Sequence, residues 1–137
     1  MKKITFIGLG VMGFPMAGHL SQKCYNVTVY NRSEEKSKLW VKNHAGNFST
    51  SVKQAVADSD VVFSCVGNDS DLRDITLGTD KAFSAMKAGS LFVDHTTTSS
   101  DIAVELNEKA LEKNIHFLDA PVSGGEVGAI NGKLTVM

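Results

Sequence analysis

Short apolar runs alternate with amphipathic stretches along this chain, and the alternation is regular enough to predict elements. Ile4–Ile7 is a brief run with β-branched residues. Gly8-x-Gly10-x-x-Gly13 follows, and then Met12, Met16 and Leu20 recur four apart. The run has the character of a strand and the four-residue recurrence that of a helix, so the segment predicts strand, glycine turn and helix. Tyr25–Tyr30 (YNVTVY) predicts a second strand. Ser33 to Lys36 then opens a helix with Glu34 and Glu35 in its first turn, where the helix dipole favours acids. Leu39, Trp40 and Val41 lie within that helix, and Ala45-Gly46 stops it.

The same alternation continues. Asn47–Ser49 predicts a short third strand, and Val52, Ala55 and Val56 a brief helix. Asp60–Val66 is almost continuously apolar, as a parallel strand covered on both faces is. Asp69–Ile75 and Lys81–Met86 predict short helices separated at Gly78. Ser90–Asp94 is a fifth strand. Ile102, Leu106 and Ala110 mark the apolar face of a helix whose outer face carries Glu105, Glu108, Lys109 and Glu112. Ile115–Ala120 is a sixth strand, and Leu134–Met137 a last apolar run. Strands alternating with helices predict an α/β fold: a Rossmann-type, doubly wound, mainly parallel sheet of order 3-2-1-4-5-6, with the last run added antiparallel.

Composition narrows the class. A chain of 137 residues, 42% hydrophobic and 21% charged, is a single globular domain of ordinary composition. Its net charge of -1 gives no basis for binding nucleic acid or an anionic membrane. No apolar run is long enough to span a bilayer, and the N-terminal run is too short and too interrupted by glycine for a signal peptide. The two cysteines, Cys24 and Cys65, form no CxxC pair. They predict reduced thiols and a cytoplasmic or organellar-matrix setting, the cytoplasm being the expectation, with Cys65 a small buried hydrophobe.

Candidate chemistry collects at the ends of the predicted strands, where open α/β sheets bind ligands. Gly8 permits a tight turn, Gly10 lets backbone approach a diphosphate, and Gly13 lets the helix pack on the strand. The diphosphate would sit on free N–H groups at the helix start, where Pro15 is tolerated. The other reading is a packing turn that binds nothing. At the end of the second strand stands Arg32 rather than an acid. A guanidinium there suits a 2′-phosphate, with Ser33 adding a hydroxyl, and so favours NADP over NAD. Alternatively Arg32 is a solvated cation and Ser33 a helix cap.

Three further strand ends carry polar loops. Gly67-Asn68-Asp69 follows the fourth strand. Asp94-His95-Thr96-Thr97-Thr98-Ser99-Ser100 follows the fifth; one hydroxyl there caps the next helix, and His95 lacks a partner for general-base work and reads as structural. Ser123-Gly124-Gly125 follows the sixth. It is either an anion-holding turn of consecutive N–H groups or a helix start capped by Ser123.

Three motifs coincide: Gly8-Leu9-Gly10-Val11-Met12-Gly13 with Pro15, Met16 and Ala17; Asp94-His95-Thr96-Thr97; and Asp119-Ala120-Pro121-Val122-Ser123-Gly124-Gly125 with Gly128, Ala129, Gly132 and Leu134. Together they resemble the N-terminal domain of the β-hydroxyacid dehydrogenases, the family of 3-hydroxyisobutyrate, tartronate semialdehyde and 6-phosphogluconate dehydrogenases. The third motif is the most specific. The resemblance implies that Gly8, Leu9, Gly10, Val11, Met12 and Gly13 hold the pyrophosphate, and that Asn31, Arg32 and Ser33 match NADP-preferring members. It implies that Val66 and Gly67 lie on the nicotinamide side, with Asp71 among the cofactor contacts and Thr97 beside the nicotinamide. Ser123, Gly124 and Gly125 would hold a substrate carboxylate.

Departures from the family pattern are Val66-Gly67 where many members have Leu-Pro, Ser100 where many have Pro, and Lys133 where Thr is usual. Family members continue into a helical domain that supplies a catalytic Lys and completes the substrate pocket and the dimer. This chain ends at Met137, which reads as a truncation, and Lys133 does not stand in for that Lys. The expected parent is an NADP-dependent oxidoreductase of small β-hydroxy acids or their semialdehyde or keto forms, homo-oligomeric at full length and without a metal. The present chain is then a cofactor-binding domain with little turnover of its own. The alternative is a non-catalytic NADP-binding sensor or module.

Overall fold

Alternate residues of the first strand face opposite ways, and each face has its own core. The computed structural model describes residues 2–23 and 25–137; Cys24 lies outside them. The main-sheet strands are β1 (Lys3–Ile7), β2 (Asn26–Tyr30), β3 (Asn47–Phe48), β4 (Val61–Ser64), β5 (Leu91–Asp94) and β6 (His116–Asp119). They form one sheet, β3-β2-β1-β4-β5-β6, in which every pairing is parallel. This is the predicted order.

The helices are α1 (Gly13–Gln22), α2 (Glu34–Asn43), α3 (Val52–Val56), α4 (Asp69–Thr76), α5 (Ala82–Ala85) and α6 (Ser100–Glu112). Ile4, Phe6, Val27 and Val29 form one core with Ala17 of α1 and Trp40 of α2. Ile7, Val62 and Phe92 form the other with Val52 and Val56 of α3, Leu72 of α4 and Ile102 and Leu106 of α6. Covering both faces explains why the strands read as apolar runs rather than clean alternations. In α1 the buried residues are Gly13, Ala17 and Gly18, while Met16 and Leu20 are only partly buried. The small residues bring α1 close to the sheet, so the methionine row lies at the margin of the helix contact.

After β6 the chain departs from expectation. Thr135–Val136 (β8) does not join the main sheet. It pairs antiparallel with Val122–Ser123 (β7) in a separate two-stranded ribbon, with α7 (Gly125–Ile130) between them. Pro121 interrupts the backbone directly after β6, and its carbonyl accepts from Met137 N–H at 2.8 Å, which draws the last run to β7. His19 of α1 secures this unit: its Nε2 bonds the Ala129 carbonyl at 2.9 Å and the Ile130 carbonyl at 3.0 Å at the end of α7.

Strand register matters most for function. Tyr30, Ile7, Ser64, Asp94 and Asp119 stand in one paired row across the sheet. Every loop leaving this row emerges at the same edge. The turns after β1 and β6 are therefore three strand spacings apart, roughly 14 Å. No helix among the described residues is long and apolar enough to cross a membrane.

Candidate functional site

A cleft of about 720 Å³ opens at that edge, over the ends of β1, β2 and β4. Its floor is the glycine turn. Gly8 has φ +100°, and its N–H bonds Tyr30 O at 2.9 Å. A Cβ on Gly8 would lie 2.1 Å from the Cys65 carbonyl oxygen, and one on Gly13 would lie 1.9 Å from the Gly8 carbonyl oxygen. These two positions require glycine for the fold itself. Gly10 differs: a Cβ there would meet nothing within 4 Å. Its bareness serves no packing need, and the space beside it is the cleft.

The start of α1 is open as well. No side chain caps it, and its first turn is closed by Phe14 N–H to Gly10 O at 3.0 Å and Met16 N–H to Met12 O at 3.2 Å. Among the described residues no partner engages the N–H groups of Gly10 to Gly13. Uncapped N–H groups at the positive end of a ten-residue helix, beside a glycine with free space, suit a diphosphate.

Asn31 ties this turn to the next loop. Its Oδ1 accepts from Leu9 N–H at 2.9 Å, and its Nδ2 donates to Ser33 O at 3.1 Å. Ser33 occupies the N-cap of α2, yet its side chain makes no capping bond, so its hydroxyl remains available to the cleft. Arg32 is 85% exposed and reaches across to Asp71, Nη1 to Oδ1 at 3.8 Å. Asp71 sits in the first turn of α4, where its N–H bonds Asn68 Oδ1 at 2.9 Å.

A buried network braces the far side. Asp94 Oδ1 accepts from Ser64 Oγ at 2.8 Å and from Thr96 N–H at 3.1 Å, and Thr96 Oγ1 accepts from Val66 N–H at 3.0 Å. The chain Ser64–Asp94–Thr96–Val66 thus fixes the loop after β4 against the loop after β5. Asp94 is 1% exposed and its Oδ2 has no partner among the described residues, and burial raises its pKa above the ordinary carboxylate value. Burial, with the Asp94 charge adding to it, pushes the neighbouring Cys65 thiol up to about 11. The thiol lines the cleft as an inert wall. His95 is structural: its Nδ1 bonds the Ala120 carbonyl at 2.7 Å and its ring stacks on Phe63.

Of the residues singled out from sequence, Gly8, Gly10, Val11, Met12, Gly13, Asn31, Arg32, Ser33, Val66, Gly67 and Asp71 all line this one cleft. Leu9 does not; its side chain is buried in the core and its N–H is spent on Asn31. Thr97 is exposed in the middle of the loop between β5 and α6, outside the cleft walls, and the buried hydroxyl is that of Thr96. Ser123, Gly124 and Gly125 do not line this cleft; they lie in the β7–β8 ribbon and at the start of α7. Gly124, not Ser123, is the N-cap of α7. Ser99 caps α6, accepting from Ile102 N–H and donating to Asp69. The sequence reading missed Asp74, Ile75 and Lys81, which also line the cleft. Asp71, Asp74 and Ile75 fall at i, i+3 and i+4 of a predicted helix, a signal that could have placed them on one face. Nothing local marks Lys81.

Comparison with known proteins agrees with this architecture. Residues 3–137 match the family described as the NAD binding domain of 6-phosphogluconate dehydrogenase. An uncharacterized oxidoreductase of Shewanella frigidimarina is 53% identical over 137 residues, covering 100% of this chain and 47% of its own length. The structure of Mycobacterium tuberculosis 3-hydroxyisobutyrate dehydrogenase with L-serine superposes with a TM-score of 0.92 at 32% identity, covering 100% of this chain and 46% of that one. A structure titled Psf3 in complex with NADP+ and 2-OPP gives 0.90 at 26% identity, covering 97% and 47%. The chain therefore spans about half the length of these relatives. With the match running from the first strand to the last residue, the chain belongs to the family of the NAD-binding domain of 6-phosphogluconate dehydrogenase.

Proposed function

We propose that this chain binds NADP(H) in preference to NAD(H), as the cofactor-binding part of a dehydrogenase of small β-hydroxy acids or their semialdehyde or keto forms. The observation that carries the reading is the cleft itself. An uncapped helix start beside the vacant space at Gly10 lies in the same cleft as Arg32 and the unspent Ser33 hydroxyl. Its volume is that of a ligand site. The NADP+ named with one structural relative supports the same choice.

In this reading the N–H groups of Gly10 to Gly13 receive the diphosphate. Asn31 holds Leu9 and Ser33 so that the two loops keep their spacing. Arg32 and Ser33 meet the 2′-phosphate in charge-assisted bonds. Bound nicotinamide supplies the hydride chemistry, and the protein supplies orientation. The Asp94–Thr96 brace holds Val66 and Gly67 where the nicotinamide side of the cleft requires a fixed wall, with Thr97 beside it. Ser123, Gly124 and Gly125 hold the substrate carboxylate, and the whole protein assembles as a homo-oligomer.

Equilibrium titration with NADPH and NADH tests the cofactor assignment. NADPH binds more tightly to the wild-type chain, and Arg32→Asp reverses the order. Equal or tighter binding of NADH by the wild type refutes the role of Arg32. A panel of small hydroxy acids with the whole protein tests the substrate class. Activity confined to substrates without a carboxylate refutes it.

A further inference from the structure

Arg32 is not alone at its end of the cleft, and the residue opposite it is far less exposed than Arg32 is. Asp71 keeps only 26% of its side chain exposed, against 85% for Arg32. Its backbone is anchored to Asn68 at the start of α4. Its carboxylate lies over Gly67, where a Cβ would come within 2.6 Å of Oδ2. Any larger residue at position 67 would push the carboxylate away. Asp74, one turn further on, lines the same wall. An exposed cation thus faces a largely enclosed acid across a space that both share.

We infer that Asp71 is a specificity-determining residue that competes with the cofactor's 2′-phosphate for Arg32. The inference rests on the NADP reading above and deepens it. A 2′-phosphate entering the cleft must draw the guanidinium off Asp71 and then remain near a carboxylate. A cofactor with a free 2′-hydroxyl meets neither penalty. Asp71 therefore narrows the preference that Arg32 creates, and the chain accepts NAD(H) as a weaker second ligand. The Arg32–Asp71 separation of 3.8 Å is loose enough to be exchanged for a phosphate.

The test is calorimetric titration of the chain with NADP+ and NAD+, using the wild type, Asp71→Asn, Arg32→Ala and the double variant. Asp71→Asn tightens NADP+ about two- to fivefold, as expected for loss of a partly exposed ion pair, and leaves NAD+ within about 1.5-fold. The gain shrinks when ionic strength is raised from about 0.01 M to about 0.15 M. It shrinks on the Arg32→Ala background, where only the repulsion between phosphate and carboxylate is left. Asp71→Ser, which also removes the charge, reports the same change should Asn perturb the start of α4. If NADP+ binding is unchanged or weaker in both Asp71 variants while Arg32→Ala still weakens it, the competition is refuted and the NADP assignment stands. If NAD+ is weakened instead, Asp71 is an acceptor for a ribose hydroxyl and the inference fails. If Arg32→Ala leaves NADP+ binding intact, the NADP assignment falls, and the competition with it.

Discussion

Gly10→Ala separates what the glycine turn does for the fold from what it does for a ligand. An added Cβ meets no atom within 4 Å, and Gly10 is not among the glycines with positive φ. The methyl group therefore costs no packing energy. By stiffening the unfolded chain it stabilises by about 0.4–1 kcal/mol, which raises Tm by a few degrees, on the order of 2–4 °C. Dinucleotide binding moves the other way. A phosphate oxygen accepting from a turn N–H lies about 2.9 Å from the nitrogen, whereas a methyl carbon needs about 3.5–4.0 Å from its neighbours. The diphosphate must retreat, at a cost of about 1–3 kcal/mol by analogy with overpacking, or roughly five- to 150-fold in Kd. The assay pairs thermal melting followed by Trp40, the single and fully buried tryptophan, with NADPH titration. Gly13→Ala is the control, since its Cβ would collide with the Gly8 carbonyl 1.9 Å away. That variant melts well below wild type and loses binding for a trivial reason. A Gly10→Ala protein that binds NADPH as the wild type does refutes the cradle; one that melts early refutes the claim of open space.

Other expectations concern the buried row beneath the cleft. Asp94→Ala strands the Ser64 hydroxyl and the Thr96 N–H and costs about 1–3 kcal/mol in urea unfolding, whereas Asp94→Asn keeps an acceptor for both and stays within about 1 kcal/mol of wild type at neutral pH. Because burial raises the folded-state pKa of Asp94, the native state holds its proton longer than the unfolded chain. Wild-type stability relative to Asp94→Asn is therefore greatest below pH 3.8 and falls as pH rises through the folded value, then levels off; a flat difference across that window refutes the assignment. Cys65, with its pKa pushed to about 11, resists alkylation at pH 8 in the native state and reacts on unfolding; rapid native-state labelling of Cys65 by iodoacetamide, located by mass spectrometry, is the contrary result.

How much of this was legible in the residues follows from the range over which each signal acts. The strand order rests on information carried locally. Apolar runs of strand length, helices at 3.6-residue spacing and short connections leave few topologies open, and the handedness of parallel crossovers removes most of those. The glycine turn belongs to the same kind, because the clashes that demand Gly8 and Gly13 arise within one strand–turn–helix unit and from the strand beside it. The roles of Ser33, Thr96 and Asp71 were undecided until the chain was folded. Ser33 is chemically fit to cap α2 and does not; Thr96 rather than Thr97 is drawn inside by Val66, thirty residues away; Asp71 faces Arg32 only because β1 lies between β2 and β4. The last run, apolar enough for the sheet, pairs instead with Val122–Ser123, and Met137 N–H bonds the Pro121 carbonyl. Local pattern determines which elements form, because propensity and periodicity act over a few residues. Which polar groups meet is decided by register and packing between distant segments, and no short stretch of sequence contains that information.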